Sequence, residues 1–286
     1  MRGLRQYLHL AERVRLCYSE NKKEEIEKKE NNFFILYFFR PLSFYLTPLF
    51  LQVKATPNQV TWSGFSIGIL ACLAFIRGTP FFFQLGAWFY ILYIFSDHID
   101  GNIARFHGTT SHYGKFLDGV VTMMVESLFW LCFGLGVYRY SLVNHPSFLS
   151  LFDEEPSMLL LAGGMATASF LGTHYLKVRY GLALTSIEKM APPTERDRDS
   201  GREREGSGNG HSPKKRFFHS TRNFSKTVER ILHFIQIPFL FLAVYVPDLL
   251  PLYLFLFTAY SVLNCMVACA VLLYTAQRHL AFFRPY

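Results

Sequence analysis

Apolar residues in this chain are gathered into long runs, and the charged residues stand between them. Runs at 60–76, 81–96, 119–137, 158–175, 231–246 and 250–274 each approach the ~20 residues with which a helix crosses a bilayer. This pattern constrains the fold strongly, because in lipid every backbone polar group must be satisfied inside its own helix or a closed barrel. The expected architecture is an all-α integral membrane protein with six transmembrane helices. Composition agrees: the chain is 51% hydrophobic and 17% aromatic, yet carries 29 Lys and Arg against 21 Asp and Glu. The runs leave little room for a soluble domain. No short apolar segment followed by a small-residue cleavage site opens the chain, so a removable signal peptide is not expected.

Residues 1–32 form a charged N-terminal segment, with KKEEIEKKE at 22–30. Opposite charges three and four apart support a solvated helix there. Residues 33–56 are aromatic but broken by Pro41 and Pro48 and carry Arg40 near their centre. Such a segment suits an amphipathic interfacial helix better than a spanning one, with Arg40 facing phosphates. Residues 57–286 then form the six-helix membrane domain. Thr56 and Pro57 mark the start of its first helix.

Basic residues decide the topology. With a cytoplasmic N-terminus, inside segments hold Arg105, Lys115, Lys177, Arg179, Lys214, Lys215, Arg216 and Arg278, whereas outside loops hold Arg77, Arg139 and the acids Asp153, Glu154, Glu155 and Asp248. Both termini are therefore expected in the cytoplasm. The basic excess belongs to membrane lipid and topology, and no nucleic-acid partner is expected. Residues 191–216, rich in Pro, Gly, Ser and alternating charge, read as a disordered cytoplasmic loop. Four of the five cysteines lie in apolar runs, which argues against a disulfide framework. Cys265 and Cys269, one turn apart, read as small packing residues.

The polar residues that resist this scheme lie at 97–126. Asp97 and Asp100 stand three apart, with Gly101 and Ala104 on the same helical face, and Gly114 and Asp118 stand four apart on a second helix. Carboxylates on neighbouring helices with small residues between them suit an oxygen-liganded divalent cation and a closely approaching phosphate. Small residues alone would read as helix-packing positions. Acids at the edge of an apolar bundle are costly and point to a site, which the topology turns toward the cytoplasm.

The stretch DHIDGNIAR at 97–105, followed after eight residues by GKFLD at 114–118, resembles the signature of the CDP-alcohol phosphotransferase (CDP-alcohol phosphatidyltransferase) family: D-x-x-D-G-x-x-A-R, eight residues, G-x-x-x-D-x-x-x-D. The resemblance implies a membrane enzyme that transfers a substituted phosphate from a CDP-linked donor to an alcohol or lipid acceptor. CMP is released, the cofactor is Mg2+ or Mn2+, and the process belongs to phospholipid or cell-surface synthesis. It further implies that Asp97, Asp100 and Asp118 ligate the metal. Gly101, Ala104 and Gly114 would make room for the cytidine, Arg105 would meet a donor phosphate, and the assembly would be a homodimer.

One position departs from the signature. The last aspartate falls at 122, where this chain has Thr122. Threonine is no effective general base near neutral pH and supplies one negative charge fewer. Glu126, one turn further along nearly the same face, is the leading substitute base, with His112 the alternative; His98 and His107 are read as interfacial. Arg40, Lys177 and Arg179 are candidates for an acceptor phosphate or lipid headgroup. A relative without activity, binding a CDP-linked lipid or acting as a membrane interaction protein, is the competing reading.

Overall fold

The computed structural model describes residues 2–29, 35–147, 155–190 and 240–282, and among them every regular element is helical. Helix α1 spans Arg2–Lys29, a π-helical turn Ile35–Phe39 leads into α2, Arg40–Gln52, and the bundle follows as α3, Pro57–Ile76, α4, Pro80–Phe106, α5, His112–Asn144, and α6, Ser157–Met190. After a 3-10 turn at Pro247–Leu249, α7 runs over Leu250–Phe282. Among the described residues, three segments are long and apolar enough to cross a membrane: Pro57–Ile76, His112–Asn144 and Pro247–Ala270. The runs expected at 81–96 and 158–175 lie inside α4 and α6. Of the run at 231–246 only the last residues are described, and the loop at 191–216 lies outside the described residues.

The helix starts follow from local chemistry. Thr56 caps α3: its hydroxyl accepts from the Gln59 amide at 3.4 Å, while the Gln59 side chain accepts from the Thr56 amide at 2.9 Å, and Pro57 occupies the first turn. Helix α4 also opens on a proline, Pro80. It closes over Gly108, whose φ of +65° lets the chain turn back. Ser111 then accepts from the Gly114 amide at 2.9 Å and starts α5. Helix α2 has 13 residues with Pro41 in its first turn and Pro48 inside, about 20 Å of helix, which is too short to span a bilayer.

The N-terminal helix is present, but it is not solvated all round. Ala11, Val14 and Tyr18 are buried, and α1 packs on α2 and α4. The alternating charges at 22–30 lie at the far end of this helix. The apolar positions that dock it lie earlier, at 11, 14 and 18, one face at helical spacing.

Helices α3, α4, α5, α6 and α7 share an aromatic core in which Phe75, Phe83, Phe129, Trp130 and Phe133 are fully buried. The Phe75 ring meets Phe129 at 5.2 Å and Phe133 at 5.4 Å, both edge to face. Small residues bring the backbones together. A Cβ on Gly134 of α5 would stand 2.8 Å from the Gly163 Cα of α6, and one on Gly136 would stand 2.0 Å from the Phe75 carbonyl oxygen. Cys265 serves the packing role expected of it: its Sγ would lie 3.3 Å from a Cβ placed on Gly172.

Candidate active site

The motif residues sit at the end of the bundle where α4 turns into α5 and where α1, α2 and the start of α3 converge. Asp100 is buried, and its Oδ2 accepts a hydrogen bond from the Thr61 hydroxyl at 2.6 Å. Thr61 is placed for this by the capped start of α3, five residues after Thr56. The Asp97 and Asp118 side chains approach each other across α4 and α5 closely enough to interact. Two carboxyls brought close repel unless a proton or a cation lies between them. Asp97, Asp100 and Asp118 thus stand at the same end of the bundle, near enough for their charges to interact.

His98 turns back toward Asp97. A 100° rotation per residue should carry it away from Asp97, yet its Nδ1 stands 3.4 Å from Asp97 Oδ2. Side-chain torsions at adjacent positions can cover that angle where the backbone does not. His107 caps the end of α4, and His112 is the exposed first residue of α5.

Arg105 is held by a neighbour that sequence reasoning passed over. Its Nη2 donates to Asn102 Oδ1 at 2.8 Å, while Asn102 Nδ2 donates to Ser43 at 3.0 Å and Thr47 at 3.1 Å on α2. Asn102, buried to 2% exposure, thus ties the short helix to the motif and orients the guanidinium. Gly101 makes room for that guanidinium: a Cβ there would stand 3.0 Å from Arg105 Nη2. Gly114 leaves room for the cap, with Ser111 Oγ 3.2 Å from the place of its Cβ. Ala104 is half-buried on the same helix.

Two cations share one ring. The Arg40 guanidinium lies 4.7 Å and that of Arg105 5.7 Å from the Tyr18 ring centre, within cation–π range. Arg40 is buried, as a residue merely snorkelling to the headgroups would not be. It is close enough to Asp97 to interact with its charge. Arg179 stands over Tyr175 at 6.0 Å on α6; the Lys177 side chain lies outside the described residues.

At the departing position, the Thr122 hydroxyl is within hydrogen-bonding reach of buried Tyr93. One turn deeper, Tyr90 donates to Glu126 Oε1 at 2.7 Å. Glu126 thus has a polar partner on another helix. Thr61, Asn102, Tyr18, Tyr90 and Tyr93 were not singled out in the sequence, and the only signal for the first two was a polar side chain on a face that had to be buried.

The chemistry of the donor set fits a hard divalent cation: three carboxylates at one end of the bundle, beside two guanidiniums that suit phosphate. Asp100 is engaged by Thr61, and among the described residues no three His, Cys, Asp or Glu side chains are yet drawn together as a coordination shell.

Comparison with known proteins agrees with this reading of the segment. Residues 54–155 match the CDP-alcohol phosphatidyltransferase family. Similar relatives include a phosphatidylinositol phosphate synthase of Cutibacterium acnes, 41% identical over 73 residues, 25% of this chain and 33% of the relative. A bifunctional IPC transferase and DIPP synthase of Thermococcus kodakarensis is 32% identical over 96 residues, 34% of this chain and 20% of the relative. A phosphatidylinositol phosphate synthase of Streptomyces avermitilis is 33% identical over 93 residues, 32% of this chain and 37% of the relative. The matches thus cover between a fifth and some two-fifths of the relatives' lengths. The likeness to the CDP-alcohol phosphatidyltransferase family thus rests on residues 54–155, the segment that holds the carboxylate motif.

Proposed function

We propose that this chain is an integral membrane phosphotransferase that moves a substituted phosphate from a CDP-linked donor to an alcohol, in phospholipid or related cell-surface synthesis. The observation that carries the reading is a motif with seven of its eight residues in place, whose buried Asp100 lies near Asp97 and Asp118 at the junction of α4 and α5. In the reaction the acceptor oxygen loses its proton and bonds to the donor's alcohol-bearing phosphorus. The pyrophosphate P–O bond breaks and CMP leaves. A divalent cation held by Asp97, Asp100 and Asp118 would offset charge on the phosphoryl oxygens.

The chain's own residues supply the rest. Arg105, fixed by Asn102, presents a rigid fork to a donor phosphate. Glu126 is the candidate base, held by Tyr90 through one oxygen, with His112 as the alternative. The relatives' names suggest a phosphatidyl group as the transferred unit and a phosphorylated polyol as one acceptor to try. Six spans, cytoplasmic termini, an α2 lying along the membrane surface and a homodimer complete the proposal.

The test is CMP release by the purified full chain with Mg2+, using CDP-diacylglycerol and small CDP-alcohols against a panel of acceptors. Release that depends on Mg2+ and is lost in Asp100→Asn supports the assignment; release that survives replacement of all three aspartates by asparagine sinks it.

A second reading rests on Thr122 and on the engagement of Glu126 by Tyr90: a relative without activity that binds CDP-linked lipid or assembles with other membrane proteins. Activity that appears only in Thr122→Asp favours this reading, whereas a wild-type protein that already releases CMP removes it.

A further inference from the structure

A cavity of about 800 Å³ opens between α1 and α2, and every residue lining it precedes the family-matched segment 54–155. Its walls are of two kinds. Leu8 and Phe44 give it apolar surface, while Arg15 and Arg40 bring two guanidiniums against the one acid, Glu12. Volumes of this size accommodate a small ligand or a headgroup with its first carbons.

The two arginines are placed differently. Arg15 is exposed, where it can meet an incoming anion. Arg40 is only 8% exposed, with its guanidinium 4.7 Å from the Tyr18 ring centre. The ring restrains the guanidinium, and a planar fork in a half-apolar cavity matches the oxygens of a phosphate better than a flexible ammonium does. Tyr7 donates to the Tyr45 carbonyl and so fastens α1 over α2 beside the cavity. The cavity is thus built by packed helices rather than by loose surface chains.

We propose that the α1–α2 cavity binds a phosphate group, supplied either by the headgroup of an anionic lipid or by a soluble phosphate ester. The cavity is electrostatically linked to the carboxylate end of the bundle. Arg40 interacts with the Asp97 charge, and Tyr18, which stacks Arg40, also stacks Arg105. The site does not depend on catalysis for its existence, and its test is separate from CMP release.

The experiment measures equilibrium binding to the full chain in phosphatidylcholine nanodiscs, with EDTA present so that no cation at the aspartates can hold phosphate. The probes are dioctanoyl phosphatidic acid, glycerol 3-phosphate and dioctanoyl phosphatidylcholine. At least one phosphate-monoester probe is expected to bind tenfold or more tighter than phosphatidylcholine. Tighter binding of the phosphatidic acid identifies a lipid headgroup as the source; equal binding of glycerol 3-phosphate identifies a soluble ester. Arg15→Gln, at an exposed position that does not endanger folding, should weaken binding at least fivefold, and Arg40→Lys, which keeps the charge but loses the fork, should weaken it further. Binding of neither monoester, equal binding of phosphatidylcholine, or affinities unchanged in both variants would overturn the proposal. A protein that binds in this way yet releases no CMP leaves the site standing and removes only the catalytic reading.

Discussion

Helix α5 has two ends that are held in opposite ways. Around Asp118 and Thr122, polar side chains from α1, α2, α3 and α4 hold one another through hydrogen bonds and stacked rings. Around Phe133 and Gly136, the same helix meets α3 and α6 through aromatic rings and near contact of backbones. The difference lies in slack. A hydrogen-bonded carboxylate can exchange Thr61 for another partner at modest net cost, because bonds are traded rather than lost. A glycine against a carbonyl oxygen has nothing to trade.

Four substitutions sharpen that contrast. Gly136→Leu should have the largest effect: a Cβ would stand 2.0 Å from the Phe75 carbonyl, and the cost of about 3 kcal/mol or more expected for overpacking against backbone should abolish recovery of folded protein in size-exclusion chromatography. If Gly136→Leu behaves like the native protein, the two ends of α5 are not distinct. Asp100→Asn should fold normally and lose at least ~100-fold in CMP release, about 3 kcal/mol of barrier. A loss of folded protein instead would mean that the polar end lacks the slack assigned to it.

Asn102→Leu removes three hydrogen bonds from a buried position and releases Arg105 from its side-chain partner, while Ser43 and Thr47 keep only their bonds to backbone carbonyls. A destabilisation of about 2–4 kcal/mol, read as a lowered melting temperature, is expected, together with protease sensitivity at α2. Thr61→Val should cost least, about 1–2 kcal/mol for the bond to Asp100. Its signature is kinetic. If Thr61 competes with a cation for Asp100, the variant should need less Mg2+ for half-maximal activity, and an unchanged requirement would refute that competition.

Much of the framework was legible in sequence for reasons that are local. The cap at Thr56 and Pro57 and the spacing of the acids act over a few residues, so they can be read from a few residues. The partners of those acids could not be read. Thr61 and Asp100 are 39 positions apart, and Asn102 and Ser43 are 59; only the packing of α2 and α3 on α4 brings them together. Tyr18 was missed for another reason. The charges at 22–30 dominate the composition of its helix, and a docking face of three residues is faint beside them. The partner of Glu126 could not be read either, because nothing local marks Tyr90 among the many tyrosines in apolar runs.

The 33 residues of α5 carry a consequence of their own. At ~1.5 Å per residue such a helix is about 50 Å long, against roughly 30 Å of hydrocarbon in a bilayer. A helix of that length that crosses a membrane without strong tilt leaves several turns among the headgroups. If the surplus lies at the Asp118 end, a lipid could deliver its phosphate from within the leaflet while a nucleotide arrives from and departs to water. Neither would have to leave its own phase.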